Sequence, residues 1–196
     1  MKFSIINTIS SLTNSEIIIA RILASRGIGK DAYELFLQPP SVRGLEIADI
    51  GVDKKQYVLA CKRLLAAYKK KESIVIYADY DADGVTSASI LWRFFHSFGF
   101  SVMPYTPDRK TEGYGFSRKG IEYVLKKYNP TLIIAVDHGI SEEKHIKYLK
   151  KNDIDTIVLD HHIQTTEPPK SAGALIYTKQ VSAAGISYFF VKSLYK

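Results

Sequence analysis

Acidic and imidazole side chains recur in this sequence at one kind of place, directly behind a short apolar run. Asp79, Asp81 and Asp83 follow the first such run, Asp137 and His138 follow LIIAV, and Asp160, His161 and His162 follow TIVL. Carboxylates gathered at one place repel each other, and a divalent cation removes the repulsion. Oxygen donors joined by one or two imidazoles suit Mn²⁺ or Mg²⁺, whereas a structural zinc site favours thiolates. In an extended or turning segment Asp81 and Asp83 can face the same way and hold neighbouring ions. Each aspartate alone can also be read as the N-cap of a following helix, Asp83-Gly84 above all. Three acidic junctions with a His-His pair exceed what capping requires. His96 and His145 fall inside helical patterns and read as structural or solvated.

The segment PDRKTEGYGFS, residues 107–117, is the second unusual feature. Arg109 is a bidentate phosphate binder by its chemistry, and Gly113 and Gly115 permit close backbone approach to a ligand. The same residues also make an ordinary turn ahead of a Ser117 helix cap.

These side chains need a scaffold that delivers them to one place. Residues 74–78, 101–105, 131–136, 154–159 and 174–177 read as strands, several of them apolar on both faces. Helical patterns run over 84–98, from Ser117 to Tyr128, from a Ser141 cap through Leu149, and over 183–195. One helix between successive strands is the βαβ rhythm, and two-sided apolar strands imply a sheet covered on both faces. The expected architecture is α/β: a doubly wound, mostly parallel sheet flanked by helices, with an N-terminal helical cap. In such a sheet ligands bind at the carboxyl ends of the strands, where the acidic clusters fall. Ahead of the sheet, residues 17–23 and 31–37 read as helices. Asp53 and Gln56 look like a capping box for a helix carrying Tyr57, Val58, Cys61, Leu64, Leu65 and Tyr68. Cys61 on that face reads as core.

Composition narrows the function classes. The chain has 196 residues, 46% hydrophobic and 24% charged, which excludes a disordered or fibrous chain. A single cysteine excludes an internal disulfide and fits a reducing compartment. Polar residues interrupt the N-terminal apolar pattern, so no secretory signal is expected. With no apolar run of ~18 residues, no membrane helix is expected either. A cytoplasmic protein is predicted. The net charge of +7 fits either an anionic partner or lysines that complement helix C-termini, as at Lys69–Lys71, Lys126–Lys127 and Lys150–Lys151.

In order and spacing, DYDADG, PDRKTEGYGFS, VDHGIS and LDHH resemble the successive motifs of the DHH phosphoesterase superfamily. The second motif and LASRGIGKDAYELFLQPP are similar to the RecJ branch, single-strand-specific 5′→3′ exonucleases. The resemblance implies an N-terminal helical extension over 1–72, packed on a DHH domain over 73–196. It implies metal ligation by Asp81, Asp83, Asp137 and His161, with Asp137 bridging two ions and His162 contacting the scissile phosphate. Asp79 and Asp160 are implied as further ligands or supports. Arg109, Gly113, Tyr114, Gly115 and His138 are implied to meet phosphate or substrate. The implied cofactor is Mn²⁺, with Mg²⁺ possible, up to two ions. The implied partner is single-stranded DNA, with RNA or short oligonucleotides possible, in DNA repair and recombination; no protein partner is implied.

Two departures bear on these expectations. Tyr77 stands where many DHH proteins carry a further histidine. RecJ proteins also continue with another metal-binding aspartate, a DHH-associated domain and an oligonucleotide-binding fold, so the second metal is expected to be under-liganded here. Two other readings stay open: a phosphodiesterase or phosphatase acting on short oligonucleotides or small nucleotides, and an inactive RecJ-like binding module. Retained, mutually repelling carboxylates argue against the last.

Overall fold

The structure, a computed structural model, describes residues 14–39, 41–164 and 166–195. The chain divides into two compact units, residues 1–45 and 46–196. In the first, helix α1 (Asn14–Ser25) stops at Gly27, whose φ of +73° reverses the chain, and α2 spans Tyr33–Leu37. The Tyr33 hydroxyl donates to Ala20 O at 3.1 Å and ties the two helices together.

The second unit opens with α3 (Lys54–Lys70), a helix that falls within the expected N-terminal extension. Its side chains explain why it sits with the sheet: Leu175 N donates to Gln56 Oε1 at 2.9 Å, and Tyr57 meets Phe190 edge-on at 6.0 Å. Only half of the expected capping box forms. Asp53 accepts from Gln56 N at 2.9 Å, but the Gln56 side chain is spent on Leu175. The helix buries Ala60, Leu64 and Ala67, while Val58, Leu65 and Tyr68 stay exposed and Cys61 is half-buried. The expected core face is therefore wider than the buried one.

Five strands follow: β1 (Ser73–Ala78), β2 (Ser101–Tyr105), β3 (Leu132–Val136), β4 (Asp155–Asp160) and β5 (Ala174–Tyr177). They form one sheet in the order β2-β1-β3-β4-β5, parallel throughout. Strands β1, β3 and β4 are buried along almost their whole length, as two-sided coverage requires. Helices α4 (Ala82–Ser97) and α7 (Ala183–Leu194) pack on each other and on one face. Helices α5 (Arg118–Tyr128) and α6 (Glu143–Lys151) cover the other. There Val75, Tyr77, Ile133, Ala135 and Val158 meet Ile121, Val124, Ile146 and Leu149. The period-2 alternation of strand side chains sorts β1 residues 75 and 77 to this face.

Two expectations change. The β4–β5 connection, residues 161–173, contains no helix among its described residues, so the one-helix rhythm breaks there. Helix α6 is capped at Glu142, not Ser141, and without a side-chain cap bond. The Glu142 carboxylate instead holds His145 Nδ1 at 2.6 Å. Ser117 does cap α5, accepting from Gly120 N at 2.9 Å. Among the described residues no helix is long and apolar enough to cross a membrane.

Candidate metal centre

The strand order reverses between β1 and β3: the chain leaves β1 toward β2 on one side, then returns to place β3 on the other. Loops at such a switch point diverge and leave a crevice at the carboxyl edge. Asp79 and Asp81 leave β1 at this crevice and Asp137 leaves β3.

Two donor groups meet there. Asp137, His161 and His162 bring one ligand atom each within 4.8 Å of one another, and Asp79, Asp81 and Asp137 do the same. Asp137 belongs to both. Its backbone is left-handed, φ +64°, a conformation that aspartate tolerates better than most residues. One carboxylate oxygen of Asp137 and one of Asp79 are buried without a hydrogen-bond partner. Burial first, then the charges of Asp83, Asp81 and Asp160, push the Asp137 carboxyl up to about 8. Asp81 moves the opposite way. It caps α4 by accepting from Asp83 N at 2.9 Å and Gly84 N at 3.0 Å, and the Gly84 N–H is the main cause of its lowered pKa. Unpartnered buried oxygens beside imidazoles, in two groups sharing one carboxylate, fit a pair of divalent cations.

Asp83, expected beside Asp81, turns away. Its carboxylate accepts from Ala183 N at 2.9 Å and Ala184 N at 2.7 Å, at the start of α7. It still lies 3.4 Å from His161 Nε2, which is 3.3 Å from Asp137 Oδ1. The capping aspartate of α4 is thus Asp81, not Asp83. Gly84 is required because a side chain there would run into the Asp79 backbone carbonyl.

Asp160 is fully engaged as an acceptor. Its oxygens take Ile140 N at 2.9 Å, His161 N at 2.7 Å, His162 N at 3.1 Å and His162 Nδ1 at 2.8 Å. A carboxylate that accepts from Nδ1–H leaves the His162 Nε2 lone pair available. The Tyr177 hydroxyl, at the end of β5, donates to His162 O at 2.8 Å and fixes the same turn. The sequence motifs do not point to Tyr177, although its place at a strand end is a usable signal.

The 107–117 loop folds over this edge. Tyr114 donates to Asp137 O at 3.0 Å and lies 3.4 Å from the His162 ring nitrogens. Arg109 sits 5.2 Å over the Tyr80 ring. Asp108 and Glu112 organise the loop: Glu112 accepts from the Tyr105 hydroxyl and from Asp108 N, while Asp108 accepts from Lys110 N and Thr111 N. Gly113 and Gly115 have φ of +82° and +67°, so the turn itself demands glycine.

His138 does not face the crevice. Its ring is buried among Tyr77 and Phe116, with Nε2 3.0 Å from Tyr77 O. A carbonyl only accepts, so Nε2 carries the proton, and burial lowers the pKa. The left-handed turn at Asp137 sends the next side chain inward, which is why a substrate contact expected from the motif becomes a core contact. Tyr77 likewise points into this core.

Residues 73–195 match the family model described as DHH family, N-terminal domain. The chain belongs to the DHH family. Its relatives include the single-stranded-DNA-specific exonuclease RecJ of Bacillus subtilis, 30% identical over 186 residues, 90% of this chain and 23% of the relative. The RecJ of Haemophilus influenzae is 36% identical over 115 residues, 58% of this chain and 20% of that one. This DHH chain thus spans about a quarter of the length of the curated relatives it matches. A crystal structure of exonuclease RecJ bound to manganese has a TM-score of 0.64 and 28% identity, covering 74% of this chain and 38% of that one. RecJ from Thermus thermophilus in complex with Mn²⁺ shares the fold, with a TM-score of 0.63 at 24% identity over 90% of this chain and 26% of that one.

Proposed function

We propose that this DHH chain is a two-cation phosphodiesterase that hydrolyses single-stranded nucleic acid, as a 5′→3′ exonuclease of RecJ type or its catalytic core, in DNA repair or recombination. The observation that carries the reading is the pair of donor groups meeting at Asp137 on the β1/β3 switch point. Mn²⁺ is the proposed ion, with Mg²⁺ as its substitute. Asp137, His161 and His162 would hold one ion and Asp79, Asp81 and Asp137 the other. Bound there, divalent cations supply an activated water and neutralise charge developing on phosphoryl oxygens.

The protein's own groups do the rest. Asp160 holds His162 by Nδ1, which leaves the Nε2 lone pair available. Arg109, supported on Tyr80, and Tyr114, hinged on the Gly113 and Gly115 backbone, stand over the same edge for a phosphate or sugar. Asp83 bonds the metal edge to the first turn of α7, and His138 stiffens the Asp137 turn from below. The relatives described as specific for single-stranded DNA support that choice of substrate. Localisation in the cytoplasm belongs to the same reading.

The test is release of nucleotides from a 5′-labelled single strand with Mn²⁺, and then with EDTA, beside a duplex and a dinucleotide. Mn²⁺-dependent cleavage of the single strand is expected. Cleavage confined to the dinucleotide, or cleavage that survives EDTA, would overturn the reading.

A further inference from the structure

Two neighbouring helices on one face of the sheet are both strongly basic. Helix α5 carries Arg118, Lys119, Lys126 and Lys127 against Glu122, and α6 carries Lys144, Lys147, Lys150 and Lys151 against Glu143. Each of the two helices has a net charge of +3. Helix α4 sets Asp83 against Arg93 and α7 carries only Lys192, while α3, which packs against β5 and Phe190 of α7, is the other basic helix, with six cations and no acid. All eight cations of α5 and α6 are exposed.

Helix dipoles account for Lys126, Lys127, Lys150 and Lys151, which sit in last turns. They do not account for Lys119 and Lys144, nor for Arg118, whose Nε donates to Glu122 at 2.8 Å. These occupy first turns, where the dipole disfavours a cation. The three lie at the same edge of the sheet as the metal centre. Between α5 and α6, Arg118, Ile121, Lys144, His145 and Tyr148 line a recess of about 270 Å³. Tyr148 is 45% exposed. The recess abuts the loop over the crevice, since the His145 ring lies 6.3 Å from Phe116, two residues beyond Tyr114. Cations along a groove with an exposed aromatic face suit single-stranded nucleic acid, whose phosphates meet the charges while bases stack.

We propose that the α5–α6 seam is a track for single-stranded nucleic acid outside the metal centre. Arg118, Lys119, Lys144 and Lys147 take backbone phosphates, and Tyr148 takes a base. The inference rests on the nucleic-acid reading above and adds where the strand runs.

The experiment is fluorescence anisotropy of a labelled oligodeoxythymidine strand, in EDTA, across a salt series. Arg118→Glu/Lys144→Glu/Lys147→Glu should weaken binding at least tenfold. It should also reduce the salt slope by about two, at ~0.7 for each single-strand phosphate that no longer meets a cation. Tyr148→Ala, which leaves charge unchanged, should weaken binding at least fivefold. The control Lys62→Glu/Lys69→Glu/Lys70→Glu makes the same charge change on α3 and should stay within about threefold of wild type. Equal losses in seam and control variants, or wild-type affinity in Tyr148→Ala, would overturn the seam while leaving the hydrolysis reading intact. A wild-type protein with no affinity for the strand would overturn both.

Discussion

The two edges of the same sheet treat charge in opposite ways. At the amino edge, Arg63 pairs with Glu72 at 2.6 Å and with Asp155, and also donates to Thr131 O at 3.2 Å. Thr131 Oγ1 donates in turn to the same Glu72 oxygen at 2.7 Å. This cluster binds α3 to the starts of three strands, and both of its acids are paired. At the carboxyl edge, Asp79 and Asp137 keep buried oxygens without hydrogen bonds, although His161 Nε2 lies 3.3 Å from Asp137 Oδ1, and Asp137 sits in a left-handed turn. One edge matches its acids with a cation; the other gathers carboxylates around imidazoles.

Four experiments break or sharpen this contrast. The largest effect is expected at Asp137, where asparagine keeps the shape and the tolerance of positive φ. Asp137→Asn should reduce metal-dependent hydrolysis at least a thousandfold, about 4 kcal/mol. It should also raise the melting temperature of the metal-free protein; a lower one would show that the carboxylate supports the fold. Next comes the amino edge. Arg63→Ala strands two acids and should cost about 2–3 kcal/mol in denaturant unfolding, below the value for a fully buried pair because Asp155 is half exposed. Turnover per folded molecule should stay at the wild-type level.

A smaller loss is expected from Asp160→Asn, which weakens the grip on His162. Hydrolysis or metal affinity should fall about 10–100-fold, with folding retained. Full activity would reduce Asp160 to a turn-forming role. The last test is titration. The folded carboxyl of Asp137 is raised to about 8 from 3.8, so between those values the folded state holds a proton that the unfolded chain has lost. This group's contribution to metal-free stability therefore falls as pH rises through that window. A bound divalent cation requires the ionised form, so the rise in melting temperature on adding Mn²⁺ should be larger at pH 7.5 than at pH 5.5. Thermal melts with Mn²⁺ and with EDTA at both values check the sign.

How far the sequence can be read follows from the range of each interaction. The strand ends are legible because an apolar run followed by an acid is a local pattern, and three repeats of it imply a single edge. The doubly wound parallel sheet comes from the same pattern. Ser117 is legible as a cap because its partner lies three residues away. The roles of Asp81 and Asp83 are not, since a two-residue offset inside a turn decides which carboxylate caps α4. His138 escapes the motif because the reversal at Asp137 is a backbone property that no side-chain spacing reports. Gln56 looks like half of a capping box, but its partner Leu175 lies 119 positions away. The charged seam is hidden too: the lysine pairs at 126–127 and 150–151 read as helix C-termini, and only the fold sets α5 beside α6.

The bond between Asp83 and the first turn of α7 spans one hundred positions. Closing a contact of such separation costs chain entropy that local contacts avoid. The first acidic motif is therefore completed only when α7 docks. A partly folded chain can present Asp79 and Asp81 to solvent, but it cannot yet present the finished edge.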